Sequence, residues 1–245
     1  MAKLTDIKYW QSIQGSPCVD IDDNNIIKKW IENNVELKKI RNCVEIGCYP
    51  GRYLSIFGDY GIELNGIDYI PNISEIATLC KQKGYKTGYF HCVDFHQNTI
   101  TNKFDCVYSL GFLEHFKDWA FVFKKHLDLV DSGGLVIIEV PNFRGWMQRL
   151  PRLLFDRENY LRHNIESMNI NAWEKILEQH NFEIITADNI GGYMLWFEKK
   201  CNKPELILRR LFVFFLKIIK NVLYPLQKDH PAFSGAIGII ARKNN

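Results

Sequence analysis

The chain has 245 residues, 47% of them hydrophobic and 24% charged, with a formal net charge of +3. That is enough apolar material for one α/β domain with additions, and it excludes a disordered tail or a small disulfide-held scaffold. The basic residues form no long block, so nothing points to a nucleic-acid partner.

The opening residues, MAKLTDIKYWQSIQ, lack the apolar core of a secretory signal, and no apolar run is long enough to span a bilayer. Seven cysteines form no C-x-x-C pair, and several fall inside expected strands, where a thiol behaves as a small buried hydrophobe. This predicts a reducing, cytoplasmic setting without disulfides or a thiolate metal site.

In chain order, DDNNIIKKWIENNVELKKI (22–40) predicts an amphipathic helix with an amide or acidic cap, within an N-terminal helical segment spanning 1–41. Strands follow at RNCVEIG (41–47), IELNGID (62–68), GYFHCVD (88–94), FDCVYSLG (104–111) and GGLVIIEVPN (133–142), with helix-like spacing between them. Then come a cap segment (142–168), a helix in NINAWEKILEQHNF, a strand at FEIITAD (182–188), a helical insert (201–231) and a last strand at SGAIGIIARK (234–243). Strand–helix alternation of this kind predicts a doubly wound α/β sheet with helices on both faces, its main domain comprising 42–200 and 232–245.

Ligands of such sheets bind at the carboxyl ends of the strands. Here those ends carry Glu45 and Gly47, Asp68, Asp94, and Ser109–Gly111. Asp68 stands about 20 residues past the glycine turn, where a carboxylate can accept from both ribose hydroxyls. The turn Gly47-Cys48-Tyr49-Pro50-Gly51 is not the G-x-G-x-x-G of a dinucleotide fold, and Glu45 would repel a pyrophosphate while suiting a cofactor with an ammonium and a sulfonium. No triphosphate loop is present.

At these residues the chain resembles the class I S-adenosylmethionine-dependent methyltransferases. VEIGCYPGRYL is similar to their E-x-G-x-G-x-G motif, GIDYI to the acidic second motif, CVDF to the third, and FDCVYSLGFLEHF to the fourth. The resemblance covers roughly 40–200 plus the last strand, and Tyr49 departs from it by replacing the usual middle glycine. It implies a seven-stranded Rossmann-like sheet with the last strand antiparallel, binding S-adenosylmethionine and releasing S-adenosylhomocysteine. It further implies that Glu45, Gly47, Cys48, Tyr49 and Gly51 hold the methionine portion, and that Asp68 and Tyr69 hold the ribose and adenine side. Asp94, Phe95, Ser109 and Leu110 would complete the adenine pocket.

Methyl transfer is an in-line displacement, so the protein chiefly aligns the reacting atoms, and a hydroxyl acceptor adds the need for a base. His115 and His163 are the candidates, with Asn142, Arg144, Tyr160, His163 and Tyr193 as the expected acceptor wall. The places where metal-dependent relatives carry ligands read Ser109-Leu110-Gly111 and Val140-Pro141-Asn142, and with no clustered His/Cys spacing the expectation is metal-independent catalysis. Arg144, Arg149, Arg152, Arg157 and Arg162 suggest an anionic acceptor, or else a solvated face. A sugar or a phosphorylated or nucleotide-linked metabolite of surface-glycan synthesis, methylated on oxygen, is the first expectation, with N-methylation next. An NAD(P)-linked sugar enzyme and a non-catalytic binding subunit remain as other classes.

PELILRRLFVFFLKIIKNVLYPL (204–226) reads either as a helix packed on the sheet or a second subunit, which is preferred, or as a peripheral helix on an anionic membrane. Tyr224 and Lys228 mimic the Y-x-x-x-K of short-chain dehydrogenases, but Pro225 breaks the helix that pairing needs.

Overall fold

The computed structural model describes residues 3–13 and 15–245. Seven strands form one sheet: β1 (Asn42–Ile46), β2 (Glu63–Asp68), β3 (Thr87–Cys92), β4 (Phe104–Leu110), β5 (Val130–Pro141), β6 (Phe182–Ile190) and β7 (Ala236–Lys243), in the order β3-β2-β1-β4-β5-β7-β6. β1 to β5 pair in parallel, whereas β7 runs antiparallel to both β5 and β6. The order reverses direction at β1, so the crevice between β1 and β4 is the topological switch point.

Alternation along the strands feeds two cores, one per face. Val44, Val107 and Ile239 point to the face covered by α5 (Trp119–Leu129) and α8 (Ile170–Gln179), through Phe123 and Trp173. Cys43, Tyr108 and Ile240 point to the other, covered by α2 (Ile26–Asn34), α3 (Leu54–Gly58) and α4 (Ile73–Gln82). Gly238 allows α2 to lie against β7, since a Cβ there would stand 2.5 Å from the Trp30 ring. Trp30 Nε1 also donates to Asp188 at 2.8 Å, tying α2 to β6.

The helix expected over 22–40 is shorter. Asn25 caps it by accepting from Ile27 and Lys28, and it stops where β-branched Val35 turns extended, followed by a 3-10 turn at Leu37–Lys39. Ahead of it, residues 3–13 contribute a bridge from Lys3 to Phe116 and helix α1 (Ile7–Ile13).

The cap holds α6 (Trp146–Phe155) and α7 (Arg157–Leu161). The insert forms one 21-residue helix, α9 (Lys203–Leu223), capped by Asn202 accepting from Glu205. It does not rest on the sheet. It packs on α6, with Phe212, Leu216 and Ile219 against Met147 and Phe233. No helix among the described residues is long and apolar enough to cross a membrane. All seven cysteines are free thiols.

Candidate active site

A cavity of about 510 Å³ opens over the carboxyl ends of β1, β2, β4 and β5. Its floor is the turn after β1. Gly47 N–H donates to Ile67 O at 2.8 Å, folding the turn back onto β2. Gly47 adopts φ +77, and a Cβ there would sit 2.4 Å from the Phe112 ring, so both the dihedral and the space demand glycine. The Tyr49 backbone N–H donates to Asp68 Oδ2 at 3.0 Å, while Ile70 N–H donates to Oδ1 at the same distance. Each carboxylate oxygen keeps a further lone pair for a diol. The Tyr49 hydroxyl donates to Gly15 O at 3.2 Å, so this substitution for glycine links the turn to the N-terminal segment.

Lys3 spans the adenine side. Its ammonium lies 2.7 Å from Asp94 and 4.2 Å from the centroid of the Tyr69 ring. Phe95 packs edge-on to Phe112, and both line the cavity. Of the expected cofactor set, Glu45, Gly47, Cys48, Tyr49, Gly51, Asp68, Tyr69, Asp94, Phe95 and Leu110 all line it. Ser109 does not: it is fully enclosed one residue back along β4, and its hydroxyl has no partner.

The wall is rich in buried acid. Burial raises Glu45 well above the usual carboxylate range, opposed by a hydrogen bond from Tyr108 at 3.3 Å. Burial likewise raises Asp68 and Glu114, and it pushes Glu139 up to about 8, with Arg52 pulling back. Five acids against only Arg52 and Lys3 leave a deficit of positive charge. A ligand with an ammonium and a sulfonium relieves that deficit and a pyrophosphate deepens it, so the residues fit S-adenosylmethionine. Glu139, Arg52 and Tyr53 were not singled out from the sequence. Glu139 interrupts an otherwise apolar run, VIIEVP, near the end of β5, which is the signal that could have found it.

At the other end, two histidines meet. The 3-10 turn Leu113–His115 and the residues after α7 are laced together by Asn164 N–H donating to Glu114 O at 2.7 Å. This brings the rings of His115 and His163 to 4.8 Å between centroids. His163 Nδ1–H donates to Asn159 O at 2.7 Å and His115 Nδ1–H to Arg162 O at 3.4 Å, since a carbonyl can only accept. Both Nε2 lone pairs are therefore available. Burial drives His163 down to about 4 and His115 well below the ordinary imidazole range, so both are neutral at physiological pH. Glu114 Oε1 stands 3.6 Å from His115 Nε2, and its Oε2 has no partner. Ligand atoms of Glu114, His115 and His163 all lie within 4.8 Å of one another, a spacing that could hold a cation.

The rest of the expected acceptor wall lies elsewhere. Asn142 is a loop clasp, donating to Pro231 O and Ser234 O and accepting from Gly145 N–H. Arg144 just ahead of α6, Arg149 within it and Arg157 at the start of α7 are exposed, and none lines the cavity. Tyr160 is buried behind Phe143, stacked at 6.4 Å. Tyr193 packs with Met147 and Phe233 near α9. Arg162 is held by Glu198 at 2.6 Å. Arg152 is fully buried, its guanidinium 3.8 Å from the Phe143 ring centroid and 4.7 Å from that of Trp196. It backs the wall rather than facing the cavity. Trp10, Phe112, Met194 and Trp196 form the apolar wall there instead.

The sheet order and the acid-lined switch-point cavity define a Rossmann-like methyltransferase. A methyltransferase-domain family model matches residues 21–187, more than half of the chain. The chain belongs to that family and is a class I S-adenosylmethionine-dependent methyltransferase. Among solved structures it is similar to the N-methyltransferase NodS from Bradyrhizobium japonicum WM9 in complex with S-adenosyl-L-homocysteine (TM-score 0.56, 12% identity, 99% of this chain and 95% of that one). It is also similar to a SAM-dependent methyltransferase from Archaeoglobus fulgidus (0.56, 16%, 89% and 93%) and to the StiE O-MT, residues 961–1257 (0.59, 15%, 89% and 73%). No curated protein sequence matches significantly.

Proposed function

We propose that the enzyme methylates a hydroxyl of a small polar acceptor, a sugar of the kind used in surface glycans. The observation that carries this reading is the pair of neutral histidines, their Nδ1 atoms committed to backbone carbonyls, in the wall of a tryptophan-lined cavity. S-adenosylmethionine, when bound, supplies an electrophilic methyl group. A hydroxyl is a poor nucleophile until its proton is shared, and a neutral imidazole within hydrogen-bond reach supplies that acceptor. Trp10 and Trp196 offer flat apolar surfaces to the C–H face of a sugar ring, with polar groups confined to the reacting end. The anionic acceptor expected from the arginines loses its support, because Arg144, Arg149 and Arg157 face solvent.

The test is transfer of labelled methyl from S-adenosylmethionine to a panel of sugars and of amines. The reading requires that sugars be labelled and that His115→Ala and His163→Ala lose turnover while still binding S-adenosylhomocysteine. Labelling confined to amines, with both variants active, would replace it with N-methylation.

A second reading rests on the same side chains. Glu114, His115 and His163 form a two-histidine, one-carboxylate set whose imidazole tautomers are already fixed for metal binding by Nδ1–H donation. A divalent cation there would lower the pKa of the hydroxyl directly. Elemental analysis of the purified protein, with turnover before and after chelation, separates the two readings.

A further inference from the structure

Helix α9 leaves most of its apolar surface in water. At 100° per residue, Ile207, Leu211, Phe214, Ile218 and Val222 fall in one strip, with Leu208 and Phe215 on its edge. The strip is far from buried: Ile218 is 45% exposed, Phe214 63% and Val222 72%. Only Leu216, on the side seated against α6, is buried. A contiguous apolar surface of this kind on a monomer marks an interaction site.

Charge says what covers it. Lys203, Arg210 and Lys217 are spaced seven apart and so form a row along one border of the strip. All three are exposed and make no ion pair among the described residues. The one acid on the helix, Glu205, is 2.6 Å from Lys199 and faces away to that pair. Helix α6, on which α9 packs, adds exposed Trp146, Leu150 and Leu154 together with Arg144 and Arg149. Pairing of α9 with a second copy would bring basic rows against a surface with no carboxylate to meet them. A spanning role is excluded for this helix by the charges distributed along it.

We propose that α9 lies flat on an anionic lipid surface. The strip Ile207–Val222 enters the boundary between headgroups and acyl chains, and Lys203, Arg210 and Lys217 meet the phosphates. Arg144 and Arg149, idle at the cavity, then belong to this face.

The test uses the whole protein in vesicle co-sedimentation, comparing phosphatidylglycerol-containing vesicles with pure phosphatidylcholine, at low and high salt. Binding to the anionic vesicles that weakens with salt is the expected result. Each basic residue near an anionic surface is worth about fivefold in partitioning, so Lys203→Glu, Arg210→Glu and Lys217→Glu together should reduce binding by about a hundredfold. Phe214→Ser with Ile218→Ser should reduce it as well. Calorimetric affinity for S-adenosylhomocysteine, measured on the same variants, should stay at the wild-type value and so certifies the fold. Equal recovery with both vesicle types overturns the proposal. So does a dimer by light scattering that Phe214→Ser with Ile218→Ser dissolves.

Discussion

The carboxyl ends of the strands and the segment between β5 and α8 both carry many polar side chains, yet the strand ends aim theirs at the cavity while the segment delivers only His163. Parallel strands deliver their carboxyl ends to one edge of the sheet, so Glu45, Asp68, Asp94 and Leu110 converge whatever lies between them. A helix does the opposite, fanning successive side chains around its axis. Arg149 and Arg152 sit on the same helix, one in solvent and the other wholly enclosed under Phe143 and Trp196. Convergence belongs to strand ends, while residues on a helix have to be placed individually by packing.

Four substitutions break or sharpen that contrast. The largest effect belongs to the one histidine that the cap does deliver to the cavity. His163→Ala should lower turnover by about 10²–10³-fold, the range for loss of a positioned proton acceptor, with cofactor affinity little changed. Because burial holds His163 near 4, protonation removes its lone pair only in strong acid, so the wild-type rate attributable to this group should be flat across neutral pH. A steady-state pH profile checks both.

Next, Asp68→Ala deletes a carboxylate that fixes the Tyr49 and Ile70 amides and faces the cofactor site. Loss of charge-assisted hydrogen bonds worth about 2–3 kcal/mol predicts roughly a hundredfold weaker S-adenosylhomocysteine binding by calorimetry. Binding within threefold of wild type would break the comparison at its stronger side.

A smaller effect concerns stability. Glu139 is raised from its ordinary 4.5 to about 8 in the folded protein. The unfolded chain thus releases this proton at lower pH than the native state does. The contribution of Glu139 is complete below pH 4.5 and is lost as pH rises through about 8. Glu139→Gln should therefore melt higher than wild type in mildly alkaline buffer, by about 3 °C or more, with the gap closing in acid. Scanning calorimetry at two pH values decides it. Smallest of all, Arg144→Ala should leave KM for the acceptor within about twofold, as exposed surface changes away from a site do. A tenfold rise would restore the anionic-acceptor reading.

The same contrast explains what was legible beforehand. The sheet follows from runs of apolar residues closed by turns, its antiparallel last strand from the family resemblance, and the cofactor side from acids at those closures. Ser109 is the exception: it differs from Leu110 by one step along β4, and a single residue of pleat moves it behind the wall. The cap was opaque because Asn142, Tyr160 and Tyr193 are satisfied by contacts with residues distant in sequence, namely 231–234, Phe143 and Phe233. The position of Glu114 beside two imidazoles depends on Asn164 reaching across from another segment. α9 was expected on the sheet or on a second subunit, and within this chain its seat is α6, through Phe212, Leu216 and Ile219.

The place of β7 has a kinetic consequence. It is the last strand in chain order, yet it is wedged between β5 and β6, and in this sheet β6 has no other neighbour. β6 cannot dock by hydrogen bonds until 236–243 arrive, more than forty residues after it, so sheet closure joins segments far apart in sequence and comes late in folding. Until then the apolar edge of β5 stays open, and α9, lying between β6 and β7, must reach its seat on α6 within the same closing step. Slow synthesis or truncation before residue 236 leaves an edge-exposed, aggregation-prone chain even though every cavity-lining residue of β1, β2 and β4 is already in the chain.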